Sequence, residues 1–96
     1  MKKRKIEIRG KETEVEVCES FFEKARGLMF RKKPGNLLFE FKKPTRMAIH
    51  SLFCKPFKAV WMMDNKIVEE REIKPFIFSI KPRTEFNKLI EMPLKE

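Results

Sequence analysis

The sequence predicts a mainly β domain, a small antiparallel sandwich or barrel with one short helix near residues 20–27. Three observations predict it. Runs of alternating apolar and charged residues recur along the chain, turn-forming residues separate them roughly every eight to twelve positions, and a helical start signal occurs only once. The 96 residues form a single domain, 1–96, with no internal repeat, linker or low-complexity tract. A domain of this size buries only about two-thirds of the surface its unfolded chain exposes. Its ten Phe, six Met and one Trp must therefore supply a dense core.

Ile6 and Ile8 alternate with Glu7 and Arg9, and beyond Gly10-Lys11 the pattern resumes as Thr13, Val15 and Val17 against Glu12, Glu14 and Glu16. This predicts a hairpin with one greasy and one ionic face, the ionic face discouraging edge-to-edge association. Ser20-Phe21-Phe22-Glu23 fits a capping box, and Gly27 suits a left-handed C′ position, so the helix they bound is short. Leu28, Met29 and Phe30 then lead into a basic turn, Arg31 to Gly35.

A strand is expected over 36–41, closed by Lys42-Lys43-Pro44, and another over 46–53, interrupted by Lys55-Pro56 because proline cannot donate to a ladder. Segments 59–63 and 66–73 flank Asp64-Asn65, a pair able to take the positive φ angles of a tight hairpin. Phe76 to Ile80 is expected to be a buried strand, and 84–92 is assigned to strand rather than helix. Met29, Met47, Met62, Met63 and Trp61 are expected to fill the core, Met adapting to irregular gaps.

A net charge of +9 and a pI near 9.8 imply a positive field that attracts nucleic acid, anionic lipid heads or acidic partners without choosing among them. Abundant Lys, Glu and Arg with no Gln also resembles the ion-rich surface of heat-adapted proteins. Cys18 and Cys54, far apart and outside any CxxC pair, suggest reduced thiols packed as small hydrophobes. The basic start Met1 to Lys5 is followed by Glu7, Arg9, Lys11 and Glu12 instead of an apolar run, and no stretch approaches the roughly 20 apolar residues of a membrane span. A cytoplasmic protein with no membrane partner, no metal and no cofactor is expected.

Two clusters carry candidate chemistry. Arg26, Arg31, Lys32 and Lys33 surround the Gly27 turn, where four cations suit a phosphate or carboxylate and Arg suits planar bidentate capture. Against this, Arg26 also suits the negative end of the helix, and charge runs are commonly solvated faces. His50, the only histidine, adjoins Ser51 and lies four residues before Cys54. A helix would bring His50 and Cys54 onto one face, whereas a strand would part them by roughly 13 Å, too far for one metal ion. A Cys-His nucleophile further needs a base within hydrogen-bond reach, a cleft and an oxyanion site, none of which the sequence supplies. Glu69 and Glu70 fall on opposite strand faces and suggest a solvated edge.

Arg26-Gly27-Leu28-Met29 with Arg31, then Leu37-Leu38-Phe39-Glu40-Phe41, then Ile49-His50-Ser51 with Phe53, together resemble the domain-of-unknown-function family 192. The similarity spans approximately residues 13–92. It implies a compact, mainly β fold similar to a jelly-roll sandwich and brings no established activity. Where the family motif runs Met, Arg, Phe, Pro, Ile, Asp, this chain has Cys54, Lys55, Pro56, Phe57, Lys58 and Ala59, so its acidic position is lost and its proline displaced. The expected function is a non-catalytic binding module for an anionic small molecule or acidic partner at Arg26, Arg31, Lys32 and Lys33. The alternatives are a small enzyme centred on His50 with Ser51 or Cys54, and a nucleic-acid-binding protein.

Overall fold

The computed structural model describes residues 2–18, 35–51 and 54–94. Six strands, β1 (Lys2–Ile8), β2 (Lys11–Val17), β3 (Leu37–Thr45), β4 (Phe57–Met63), β5 (Lys66–Ile73) and β6 (Phe86–Pro93), form one mixed sheet ordered β1-β2-β3-β6-β4-β5. The domain is mainly β as expected, and the sheet forms a half-barrel. The helix expected at 20–27 lies outside the described residues; among those described there is no helix, and hence none long and apolar enough to cross a membrane.

The first hairpin turns at Arg9-Gly10, both with positive φ, 52° and 74°, as a two-residue turn matched to strand twist requires. The β4–β5 hairpin turns at Asp64-Asn65, where Asp64 has φ 55°. There the Asn87 side chain accepts from the Asp64 amide at 2.8 Å and donates to its carboxylate at 3.0 Å, tying the turn to β6. All ladders are antiparallel except β2–β3, whose parallel pairing rests on Glu16 N to Asn36 O, 2.8 Å, and Cys18 N to Leu38 O, 2.9 Å. Sequence periodicity carries no information on that choice.

Alternation along the strands fills two clusters on opposite faces. Leu37, Phe39, Phe57, Ala59, Trp61, Ile73, Phe86 and Leu89 make one with Cys18, Cys54 and Ile80; Val15, Val17, Leu38, Val60, Met62 and Ile90 make the other. Ile6 and Ile8 of β1 and Ile67 of β5 pack on the second cluster although their strands are opposite edges of the sheet. Arg9 in the first hairpin turn also pairs with Glu70 of β5. Curling of the sheet is what brings these edges together.

Several expectations need correction. The strand beginning at 36–41 does not close at Lys42 but runs to Thr45, a register shift between Glu40 and Thr45 making room for Pro44, as bulges do for prolines in a ladder. Segment 46–51 is not a strand: among the described residues its sole ladder contact is the Ile49–Ile80 bridge, and residues 52–53 lie outside those described. Nor is Phe76 to Ile80 a buried strand. Only Ile80 is buried, while Phe76 is 66% and Phe78 81% exposed. Of the expected core methionines, Met62 is buried and Met63 half-buried, but Met47 is exposed.

Candidate functional site

Ser51 is completely buried and works as a clamp. Its hydroxyl donates to the Lys74 carbonyl at 2.6 Å and accepts from the Ile77 amide at 2.8 Å, while its own amide donates to Ile77 O and its carbonyl accepts from Phe76 N, both at 2.9 Å. Segment 74–77 curves around this one residue, with Phe76 held at φ 63°. A serine hydroxyl has a single proton to donate, and Lys74 O already holds it. The hydroxyl is therefore not poised as a nucleophile.

Cys54 is buried three positions further on, its amide donating to Ser51 O at 3.3 Å. Burial, and secondarily the charge of Glu91, push its thiol up to about 11. Thiolate is the nucleophilic and metal-binding form, and both the burial and the neighbouring charge disfavour it at Cys54. Cys18 is likewise a buried free thiol in the same cluster. His50, half-buried, sits between the Ile49 bridge and the Ser51 clamp. Among the described residues no group of three or more His, Cys, Asp or Glu side chains is placed to hold a metal ion.

Sequence reasoning missed Glu91. It lies in the middle of β6, opposite Leu37 on one side and Ala59 on the other, and is only 5% exposed. Strand alternation contained the signal, since Glu91 shares the parity, and so the face, of buried Leu89. Glu69 and Glu70 do point to opposite faces, but they are not a solvated edge. Glu69 binds Arg71 and accepts from the Arg83 amide at 2.8 Å, while Glu70 binds Arg9 and Lys58. Arg71 in turn donates to Lys81 O at 2.6 Å and lies 5.0 Å from the centre of the Trp61 ring, a cation–π distance. Trp61 Nε1 is buried with no acceptor among the described residues.

These contacts brace segment 81–84 against β5 and leave between them an open cleft of about 540 Å³. Arg71, Lys81 and Arg83 line it with Glu69 and Glu70, and both carboxylates are already engaged by the partners named above. Among the described residues the Lys81 and Arg83 side chains enter no ion pair. The cleft is thus cationic, although its sequence reads as a mixture of both signs.

Ser51 and Cys54 are neighbours in the core; Arg26, Arg31, Lys32 and Lys33 lie outside the described residues. The RGLM-type segment and the Ile-His-Ser motif nevertheless belong to one longer pattern, because a family model for DUF192, described as an uncharacterized ACR, matches residues 4–95. The chain belongs to the DUF192 family.

Two solved structures share the fold of this DUF192 chain. A candidate transcription regulator from Sinorhizobium meliloti is 19% identical, with a TM-score of 0.79, the match covering 95% of this chain and 78% of the other. A Novosphingobium aromaticivorans protein of unknown function is 14% identical, with a TM-score of 0.76 and coverage of 93% and 70%. At such identities the likeness is one of fold. No curated protein matches the DUF192 chain.

Proposed function

We propose that the domain is a non-catalytic binding module for an anionic group, carried by a small molecule or an acidic partner. The observation that carries this reading is the cleft between β5 and segment 81–84, where both acids are spent on structural contacts and Lys81 and Arg83 remain for a ligand. A guanidinium beside an ammonium suits a phosphate or carboxylate oxygen pair. The basic turn of Arg26, Arg31, Lys32 and Lys33 stays in the proposal as a second cationic element, on the strength of its sequence. An enzyme centred on His50 is the weaker reading, because the Ser51 hydroxyl is committed to main chain and the Cys54 thiol stays protonated.

Melting of the full chain against inorganic phosphate tests the reading. A ligand that binds only the folded state at about 100 times its Kd adds roughly 2.7 kcal/mol, visible as a rise in Tm. Arg83→Gln should cut that rise while leaving the ligand-free Tm unchanged, since only the Arg83 amide, not its side chain, serves Glu69. Arg26→Met and Arg31→Met should weaken binding in the same way if the basic turn contributes. Absence of any phosphate effect would sink the small-anion reading. A salt-sensitive response to RNA or DNA alone would transfer the cations to nucleic acid.

A further inference from the structure

The loop between β5 and the Ile49–Ile80 bridge is the most exposed apolar element of the described residues. Phe76 is 66%, Ile77 37% and Phe78 81% exposed. Such a loop ordinarily carries small polar residues, and three large apolar side chains in succession demand an account. The backbone adds to the demand. Phe76 has φ 63°, a left-handed conformation that a bulky L-residue adopts at a cost and that glycine would take freely. The chain thus places a phenyl where both solvation and backbone preference oppose it, and holds it there with the Ser51 clamp.

Charge indicates what covers these side chains. From Lys74 to Lys81 the loop contains no acid, and a cation stands at each end, both exposed. The whole chain carries +9. Phe76 and Phe78 are not among the residues lining the cleft beside β5, and both stand mostly in solvent. A protein partner would need an apolar pocket shaped to each ring and rimmed by acids. A bilayer accepts a projecting ring without being shaped for it, and its anionic head groups supply the countercharge.

We propose that the loop from Lys74 to Lys81 is a docking tip that seats Phe76 and Phe78 in the interfacial layer of an anionic membrane, with Lys74 and Lys81 against the head groups. The expectation of no membrane partner rests on the lack of an apolar span, a criterion that cannot register contact through a few side chains. The Ser51 clamp gives the tip its advantage, because a loop already fixed loses little further freedom when it docks. The docking is peripheral and salt-sensitive, as expected where a few rings and lysines act together. Lys81 also lines the anion cleft, whereas Lys74, Phe76 and Phe78 do not.

Cosedimentation of the full chain with phosphatidylcholine vesicles, with and without phosphatidylserine, decides the matter. Binding should require phosphatidylserine and fade as salt is raised. Phe78→Ser should lower the partition coefficient by about tenfold, the order expected for removing one ring from the interface, with Tm and phosphate binding unchanged because the ring is exposed. Lys74→Gln should lower it less, and only at low salt. A chain that ignores both vesicle types overturns the proposal and assigns the phenyl pair to a protein partner. Vesicle binding that is indifferent to Phe78→Ser overturns it as well, because attraction would then come from the basic surface alone.

Discussion

β6 and segment 74–80 are both short, rich in large apolar residues and close to a proline, and of the two it is the surface segment that has the more uniformly apolar sequence. Yet β6, with Asn87, Lys88 and Glu91 inside it, is one of the two central strands of the sheet, whereas Phe76 and Phe78 stand in solvent. The difference lies in where backbone groups find partners. β6 is paired on both sides, by β3 and by β4, so either face of the strand reaches a core cluster. In segment 74–80, Pro75 has no amide proton, the amides of Phe76 and Ile77 go to Ser51, and that of Ile80 goes to Ile49. Curled around one serine, the segment presents no straight edge to a ladder, and apolar composition alone does not bury it.

The largest effect that tests this contrast is in β6. Leu89→Ala deletes a buried side chain beside Trp61, its cross-strand neighbour, and should cost about 2–5 kcal/mol, the range for large-to-small core changes. Chemical denaturation of the pair Leu89→Ala and Phe78→Ser measures it. Comparable losses for both would refute the assignment of one residue to core and the other to surface. Next in size is Ser51→Ala, which leaves the Lys74 carbonyl and Ile77 amide without their hydroxyl partner and should cost about 1–3 kcal/mol. Its signature is local: amide exchange should quicken at Phe76 and Ile77 more than in β6.

Cys54 distinguishes the core by pH. Burial and the Glu91 charge raise its folded pKa from 9.0 to about 11, so the folded state keeps the thiol proton more tightly than the unfolded chain does. The corresponding stability is fully present below pH 9.0 and is lost as pH rises toward 11. Tm should therefore fall more steeply over that alkaline window in the parent chain than in Cys54→Ala. Identical slopes would mean that the thiol is hydrated in the folded state.

Much of the fold was legible in the sequence because alternation reports faces directly. Val15 and Val17 against Glu14 and Glu16 placed the first hairpin, and Asp64-Asn65 placed the second turn. What alternation cannot report is which strand lies beside which. The parallel β2–β3 pairing and the meeting of Arg9 with Glu70 depend on sheet order and curl, both global properties. The candidate site was less legible still. In the sequence Ser51 stands out only as the neighbour of His50, but its role is set by main-chain groups more than 20 residues away. In the same way Lys81 and Arg83 became notable only once Glu69 and Glu70 proved to be occupied elsewhere.

The smallest expected effect is also the most pointed, because its sign separates strain from packing. Phe76 has a φ of 63° and a ring mostly in water, so replacing it by glycine removes little buried surface and relieves a conformation that costs an L-residue about 1–2 kcal/mol. Glycine also gives the unfolded chain more freedom, which takes back roughly 0.5–1 kcal/mol. Phe76→Gly should consequently be neutral or slightly stabilising, whereas Phe76→Ala, which retains a Cβ and so the strain, should not gain. A clear loss of stability in the glycine variant would mean that the ring packs against the domain, and the loop would then be a poorly exposed extension of the core rather than a projecting tip. Stability retained together with weaker vesicle binding would instead make Phe76 a residue kept for its contacts outside the molecule, at the expense of its own backbone.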